Sequence, residues 1–414
     1  MNVAEIKPFS CVRPNEQVAS RVAALPYDVY NRSEALEEVK REPLSFLKID
    51  RAETQFDDSV DTYDERVYQK AKELLEGMIS DGTFVTDKDA CYYVYELIMD
   101  GRAQTGIVAC SSIDDYCNNV IKKHEKTRED KELDRINHVD TCSAQTGPIF
   151  LAYRSNAIIN DVVYRTKKET PLYAFTAEDG VTHNVWKIDK KEEVEAIYQA
   201  FLNINEIYIA DGHHRAASAV KVGLKRRNEQ PYFTGTEEFN TFLSVLFPDN
   251  ELAILPYNRA VKDLNGYTKE GFLKEISKHF TVTCVGSTPY SPVKKGTFGM
   301  YLEGQWYELV AKEELMQIND AVKSLDVALL QDYLLEPVLG IGDPRTDKRV
   351  DFIGGIRGLK ELEKRVSTDM KVAFSMYPTS IGELFAVADA DLLMPPKSTW
   401  FEPKLRSGLF IHQI

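Results

Sequence analysis

Ile207-Tyr208-Ile209-Ala210 runs straight into Asp211-Gly212-His213-His214-Arg215, and that run into Ala216-Ala217-Ser218-Ala219-Val220-Lys221-Val222. A short apolar run closed by Asp-Gly reads as a buried strand, and the small side chains behind it as a helix packed close to its neighbours. The stretch is therefore a strand, a tight turn and a helix N-terminus. Unpaired N–H groups and the positive end of the helix dipole face such a turn, so it favours an anion. Gly212 lets the backbone approach a ligand, and Arg215 adds a clamp suited to phosphate or carboxylate. Asp211 can hold magnesium, orient a histidine or accept a substrate proton, while His213 and His214 can donate to phosphate or shuttle protons. The rival reading makes Asp211 a helix cap and the histidines solvated turn residues. Burying so much polarity between a strand and a close-packed helix is costly without a use for it.

Around this stretch the chain alternates short strands with amphipathic helices and shows no internal repeat. Leu25 to Val29 reads as a loop before a helix capped by Asn31 or Ser33, and Pro43 to Ile49 as a strand. Val67, Ala71, Leu74, Leu75 and Met78 predict a helix over Tyr63 to Asp81. Cys91 to Met99 and Arg102 to Ser111 predict a hairpin turned by Asp100-Gly101, with further strands at Pro148 to Tyr153 and Val181 to Ile188. The expected class is α+β, mixed sheets with flanking helices. The expected division is an N-terminal segment 1–90, a core 91–248 and a C-terminal segment 249–414 closing the site, with a boundary near Pro248-Asp249-Asn250.

The length, 414 residues, gives a prior of about two to three domains. A net charge of −14 repels phosphate backbones, which argues against an extended nucleic-acid surface. No stretch reaches the ~20 apolar residues of a membrane span, and the N-terminus lacks the pattern of a secretory signal. The six scattered cysteines form no CxxC pair, which suits reduced thiols and a cytoplasmic location.

Two further regions carry chemistry. Lys122 to Arg135 is a charged run; as a helix it would place His124, Arg128 and Glu132 on one face. Taken alone it reads as a solvated, salt-bridged helix, yet His124-Glu125 followed by Lys126, Arg128 and Arg135 also offers a general base beside phosphate-neutralising cations. Met394 to Gly408 is locally basic and proline-stiffened, and can either pack the chain down or close over a nucleotide. In the latter case Lys397 or Lys404 would meet phosphate, and Trp400 or Phe401 a base. Asp389 and Asp391 before it are weak magnesium candidates. No Walker phosphate loop, complete dinucleotide fingerprint or Gly-x-Ser-x-Gly elbow occurs.

The strand, the Asp211-Gly212-His213-His214-Arg215 turn and the alanine-rich helix resemble the phosphate-binding turn of the ParB/sulfiredoxin superfamily, most closely its free-serine kinases. In order, Pro26-Tyr27-Asp28-Val29, Lys123 to Arg128, Asp134-Arg135, the Asp-Gly-His-His-Arg turn and Pro396-Lys397-Ser398-Thr399 resemble a widespread prokaryotic family known as a domain of unknown function. The first resemblance implies a ParB/sulfiredoxin-like nucleotide-binding core and phosphoryl transfer from a nucleotide to free L-serine, giving O-phosphoserine. The expectation is a kinase using ATP or ADP and Mg2+ on a small hydroxylated metabolite, binding neither nucleic acid nor membrane. Glu125, Asp211, His213 and His214 are its catalytic candidates. Gly212, Arg215, His124, Lys126, Arg128, Arg135 and Lys397 would bind the nucleotide, and Asp211 the metal. A ParB-type nucleotide-binding regulator and a metal-dependent phosphoesterase using Asp211, His213, His214 and His124 are the alternatives.

Overall fold

The structure, a computed structural model, describes residues 3–127 and 129–414. The chain divides into two compact units, Met1–Leu252 with Pro403–Ile414, and Ala253–Glu402.

Among the described residues of the first unit, nine strands form one mixed sheet: β1 (Ile6–Lys7), β2 (Tyr92–Met99), β3 (Arg102–Ser112), β4 (Ile121–Lys122), β5 (Ile149–Tyr153), β6 (Tyr173–Thr176), β7 (Thr182–Ile188), β8 (Ile207–Asp211) and β9 (Thr241–Pro248). Their order is β4-β8-β5-β9-β3-β2-β7-β6, with β1 also paired to β3. β8 runs parallel to β4, and β9 parallel to β5, while the remaining pairs are antiparallel. The β2–β3 hairpin turns at Asp100 and Gly101, both at positive φ (51° and 78°), the geometry that makes Asp-Gly a strong two-residue turn.

Alternate residues of the central strands, among them Val94, Ile107, Leu151, Ile207 and Ile209, bury into one core with Ala216, Ala219 and Val220 of a long helix. Four helices matter for the site: α1 (Leu47–Asp50), α2 (Glu65–Ser80), α3 (Glu129–Cys142) and α4 (His213–Glu229). A second core, with Phe46, Leu47, Val67, Ala71 and Leu75, joins α1 and α2 to Cys142 at the end of α3 and to Ile411. α3 lies against α4 through the buried Ser218, whose Oγ is 3.1 Å from the Glu132 carbonyl, and through an ion pair between Lys221 and Glu132. The segment after residue 402 returns to this unit: His412–Gln413 pairs with Ala144–Gln145, and Leu409, Phe410 and Ile411 are fully buried.

In the second unit six strands form an antiparallel sheet: β10 (Tyr257–Val261), β11 (Phe280–Gly286), β12 (Thr297–Leu302), β13 (Gln305–Ala311), β14 (Val350–Gly354) and β15 (Val372–Met376), in the order β11-β13-β12-β15-β10-β14. No helix among the described residues is long and apolar enough to cross a membrane.

Three expectations are corrected. Pro43 to Ile49 is not a strand: Ser45, Phe46, Leu47, Ile49 and Asp50 are buried without the alternation of a strand, and Leu47–Asp50 is helical, which a short apolar run does not disclose. The charged run is not one helix from Lys122, because pairing of Ile121 and Lys122 with Ile207 and Tyr208 holds that end extended and α3 begins only at Glu129. Residues 1–90 and 91–248 share a unit because β1 pairs with β3 and Phe9 bridges to Cys91, and 403–414 joins them rather than staying with 249–402.

Candidate functional site

β8 carries a bulge between Ile209 and Asp211, which oppose Leu151 and Phe150 of β5. In a regular strand Asp211 would share the core-facing side of Ile209; the extra residue breaks that alternation just before the turn. Gly212 follows at φ 91°, the left-handed conformation that lets the chain reverse directly into α4. His213, His214 and Arg215 thus occupy the first turn of α4, one step further into the helix than the sequence suggests. Gly212 N–H donates to Asp211 Oδ1 at 2.8 Å, and Lys404 Nζ donates to Oδ2 at 2.9 Å. Burial opposes ionisation of Asp211, but Lys404 and Arg215 overcome it and hold the carboxyl well below the usual range. Arg215 is fixed through Nη1 to the Pro148 carbonyl at 2.7 Å.

His124 and Glu125, in the irregular segment after β4, come to the same place. The His124 and His213 rings meet edge to face with centroids 4.5 Å apart, and Glu125 Oε2 lies 3.9 Å from His213 Nδ1. Burial pushes the His124 imidazole down to about 4 against the pull of Asp211 and the Ile209 backbone. Burial, helped by His124, His214 and Lys123 and opposed by Asp211, pushes His213 well below its ordinary value. Both rings are therefore neutral at pH 7. Both nitrogens of His124, and His213 Nε2, are buried without a hydrogen-bond partner of good geometry. Unsatisfied polar atoms of this kind are rare away from sites of use.

The other expected residues divide. Lys126 is exposed, and Arg128 lies outside the described residues. Arg135 is buried on α3, its guanidinium 4.1 Å from the Tyr27 ring and 2.8 Å from Asp134. Lys397 belongs to the second unit, exposed, with its ammonium 5.5 Å from the Tyr257 ring. Trp400 packs on Tyr257 with centroids 4.9 Å apart and pairs with Leu255, so this aromatic is engaged within its own unit. No group of three or more His, Cys, Asp or Glu among the described residues is arranged to hold a metal ion.

Next to the turn lies a cleft that sequence reasoning missed as a unit. It is narrow, with about 30 Å3 of room for water, and its polar lining includes Tyr27, Asp50, Arg135, Thr146, Arg215 and Ser407. Asp50 carries no local signal, being one acid in an ordinary helical turn. Only the assembly of α1, α3, α4 and the returning segment brings these residues together.

A family model described as "Protein of unknown function (DUF1015)" matches residues 6–328. The chain belongs to this family. No curated protein matches the chain. Among solved structures, a free serine kinase in complex with AMP is similar at 13% identity, over 72% of this chain and 86% of that one, with a TM-score of 0.32. SbnI with a C-terminal truncation, from Staphylococcus aureus, matches at 11% identity over 71% and 82%, with a TM-score of 0.36. A conserved hypothetical protein from Pyrococcus furiosus matches at 13% over 73% and 93%, with a TM-score of 0.33.

Proposed function

We propose that this DUF1015 protein is a nucleotide-dependent phosphotransferase acting on a small hydroxylated metabolite, with free L-serine giving O-phospho-L-serine as the first acceptor to try. The observation that carries this reading is the meeting of His124, Glu125 and His213 beside Asp211, Lys404 and Arg215 at the N-terminus of α4. Phosphoryl transfer asks mainly for positioning and neutralisation of charge, and this set supplies both.

In this reading the β8–α4 turn is a nucleotide-binding core of the ParB/sulfiredoxin kind. The first-turn N–H groups of α4 and the Arg215 guanidinium face the phosphates. The acceptor oxygen attacks the terminal phosphorus, its proton passes to the Glu125 carboxylate, and the bond from phosphorus to the bridging oxygen breaks. The shortened nucleotide leaves with that electron pair. Neutral imidazoles at His124 and His213 can donate hydrogen bonds to phosphate without adding a fixed charge. Magnesium brought by ATP or ADP needs few protein oxygens, and Asp211 would supply one by releasing Lys404. The ion would offset phosphate charge there.

The test is incubation of the pure full-length chain with ATP or ADP, magnesium and a panel of hydroxylated amino acids and hydroxy acids. Phosphorylated acceptor is expected, with loss of product in Glu125→Gln. Nucleotide left unchanged with every acceptor sinks the proposal.

A further inference from the structure

A second, larger space lies at the other end of β5 from Phe150, the residue that opposes Asp211. There β5 and β9 run parallel, with Tyr153 opposite Pro248, and both chains leave the sheet, one toward the helix Ala157–Thr166 and the other into the turn Asp249–Glu251. The carboxyl ends of neighbouring parallel strands are where open sheets keep their crevices. This one has about 440 Å3 of room for water, within the range of small-molecule sites, and all its lining residues belong to the first unit.

The helix turns two stripes inward. Ile159, Val162 and Thr166 are buried in its packing face, while Asn160, Val163, Tyr164 and Lys167, at i, i+3, i+4 and i+7, line the crevice. Lys167 is already used, since its ammonium pairs with Glu96 and lies 3.2 Å from Thr105 Oγ1. Other lining groups remain open. Tyr153 is 1% exposed, yet its hydroxyl has no hydrogen-bond partner among the described residues. A buried tyrosine hydroxyl ordinarily finds one. Burial and the nearby Glu251 and Asp249 carboxylates keep its proton in place, so it stands as a donor. Glu251 accepts from Thr105 N–H at 3.2 Å through Oε2, which leaves Oε1 open. Asn160 donates to Ser155 Oγ at 2.8 Å and keeps its carbonyl oxygen, and the Asn250 amide makes no hydrogen bond among the described residues. The Lys168 ammonium lies 4.0 Å from the centre of the Tyr164 ring and forms no ion pair among them.

Open donors and open acceptors are thus interleaved around one space, one carboxylate offsets one ammonium, and Ile107 and Val163 add apolar surface between them. A sugar matches this lining, because each hydroxyl both donates and accepts and the ring carries apolar C–H faces. We propose that the crevice binds a neutral mono- or disaccharide, whose hydroxyls donate to Glu251 and accept from Tyr153 and Asn250. This site is separate from the Asp211 turn and does not rest on the transferase reading.

Titration calorimetry of the full chain without nucleotide, using D-glucose, D-ribose, maltose, trehalose and glucose 6-phosphate, reads the crevice directly. At least one neutral sugar is expected to bind, with the phosphate ester no tighter than the best of them. Tyr153→Phe removes a hydroxyl that has no partner within the fold, so it should weaken that sugar about five- to tenfold while the ligand-free variant melts no lower than the native chain. Asn250→Ala, at an exposed position, should weaken the same sugar by a similar factor with the melt unchanged. Binding by none of the four sugars overturns the assignment, as does preference for glucose 6-phosphate over all of them. So does a Tyr153→Phe chain that melts lower with its sugar affinity intact, or sugar binding untouched by both substitutions. Sugar binding with no phosphate transferred to any acceptor keeps this site and removes the transferase; phosphate transfer without sugar binding does the reverse.

Discussion

Gly212 meets two demands at once. Its φ of 91° is strained for any side chain, and a Cβ there would lie 3.2 Å from the Arg215 guanidinium. Gly212→Ala should therefore cost about 1–2 kcal/mol in urea unfolding. It should also weaken nucleotide binding by displacing Arg215, measured by titration with ADP. Lys404→Met acts on charge instead. With Lys404 gone, the burial that opposes ionisation of Asp211 loses its main counterweight, so the carboxyl titrates at higher pH. The acid limb of kcat/KM against pH should move upward, and an unmoved limb would show that Asp211 is not the group being read. Asp211, Gly212 and Arg215 were legible because strand, turn and helix are neighbours in sequence. Lys404 was named only as one phosphate cation among several; its pairing with Asp211 spans 193 residues, and nothing local encodes it.

The elements that local chemistry determines came through intact. The β2–β3 hairpin follows from Asp100-Gly101, and α2 from its apolar spacing, with ends within two residues of expectation. Where tertiary pairing decides, the sequence misleads: Lys122 belongs to a strand because Tyr208 lies beside it, and the turn before and within α1 is helical because Phe46, Leu47 and Ile49 all face one core. The returning segment is the element with the greatest leverage. Phe410, Leu409 and Ile411 are fully buried, and Arg406 donates to His183 Nε2 at 3.2 Å and to Asp179. At roughly 1.5–3 kcal/mol for each buried apolar side chain, removing the three is worth about 5 kcal/mol or more. A chain truncated after Glu402 should lose the cooperative melt of the first unit, followed through Trp186, while Trp306 and Trp400 still report a folded second unit. Retention of the native Trp186 signal would show the segment to be dispensable.

Across the molecule, burial sets opposite acid responses in the two units. In the first, burial lowers His124 to about 4, His412 to about 4 and His183 to about 3, and also lowers His138 and His213. The unfolded chain takes up these protons near pH 6.5 while the folded unit refuses them, so each histidine removes about 1.4 kcal/mol of stability per pH unit on descending from 6.5 toward its folded value. Asp115, raised by burial to about 6, opposes this but is outnumbered. In the second unit burial raises Asp326 to about 7, so the folded form binds a proton that the unfolded form does not, and stability grows as pH falls from 7 toward 4. Thermal melts at pH 7 and pH 5 should show the first unit falling and the second holding or rising. Trp186→Phe isolates the second-unit signal; parallel movement of both transitions contradicts the assignment.

The net charge of −14 remains a poor guide to the site, since the cations that matter are few and local. The division into units also sets an order of events during synthesis. Pro403–Ile414 leaves the ribosome only after all of Ala253–Glu402 has been made, so the nascent first unit waits, without Lys404 and its last strand, while the second can already fold. Asp211 meets Lys404 only when the later unit has been translated, which ties the birth of the site to completion of that domain's synthesis.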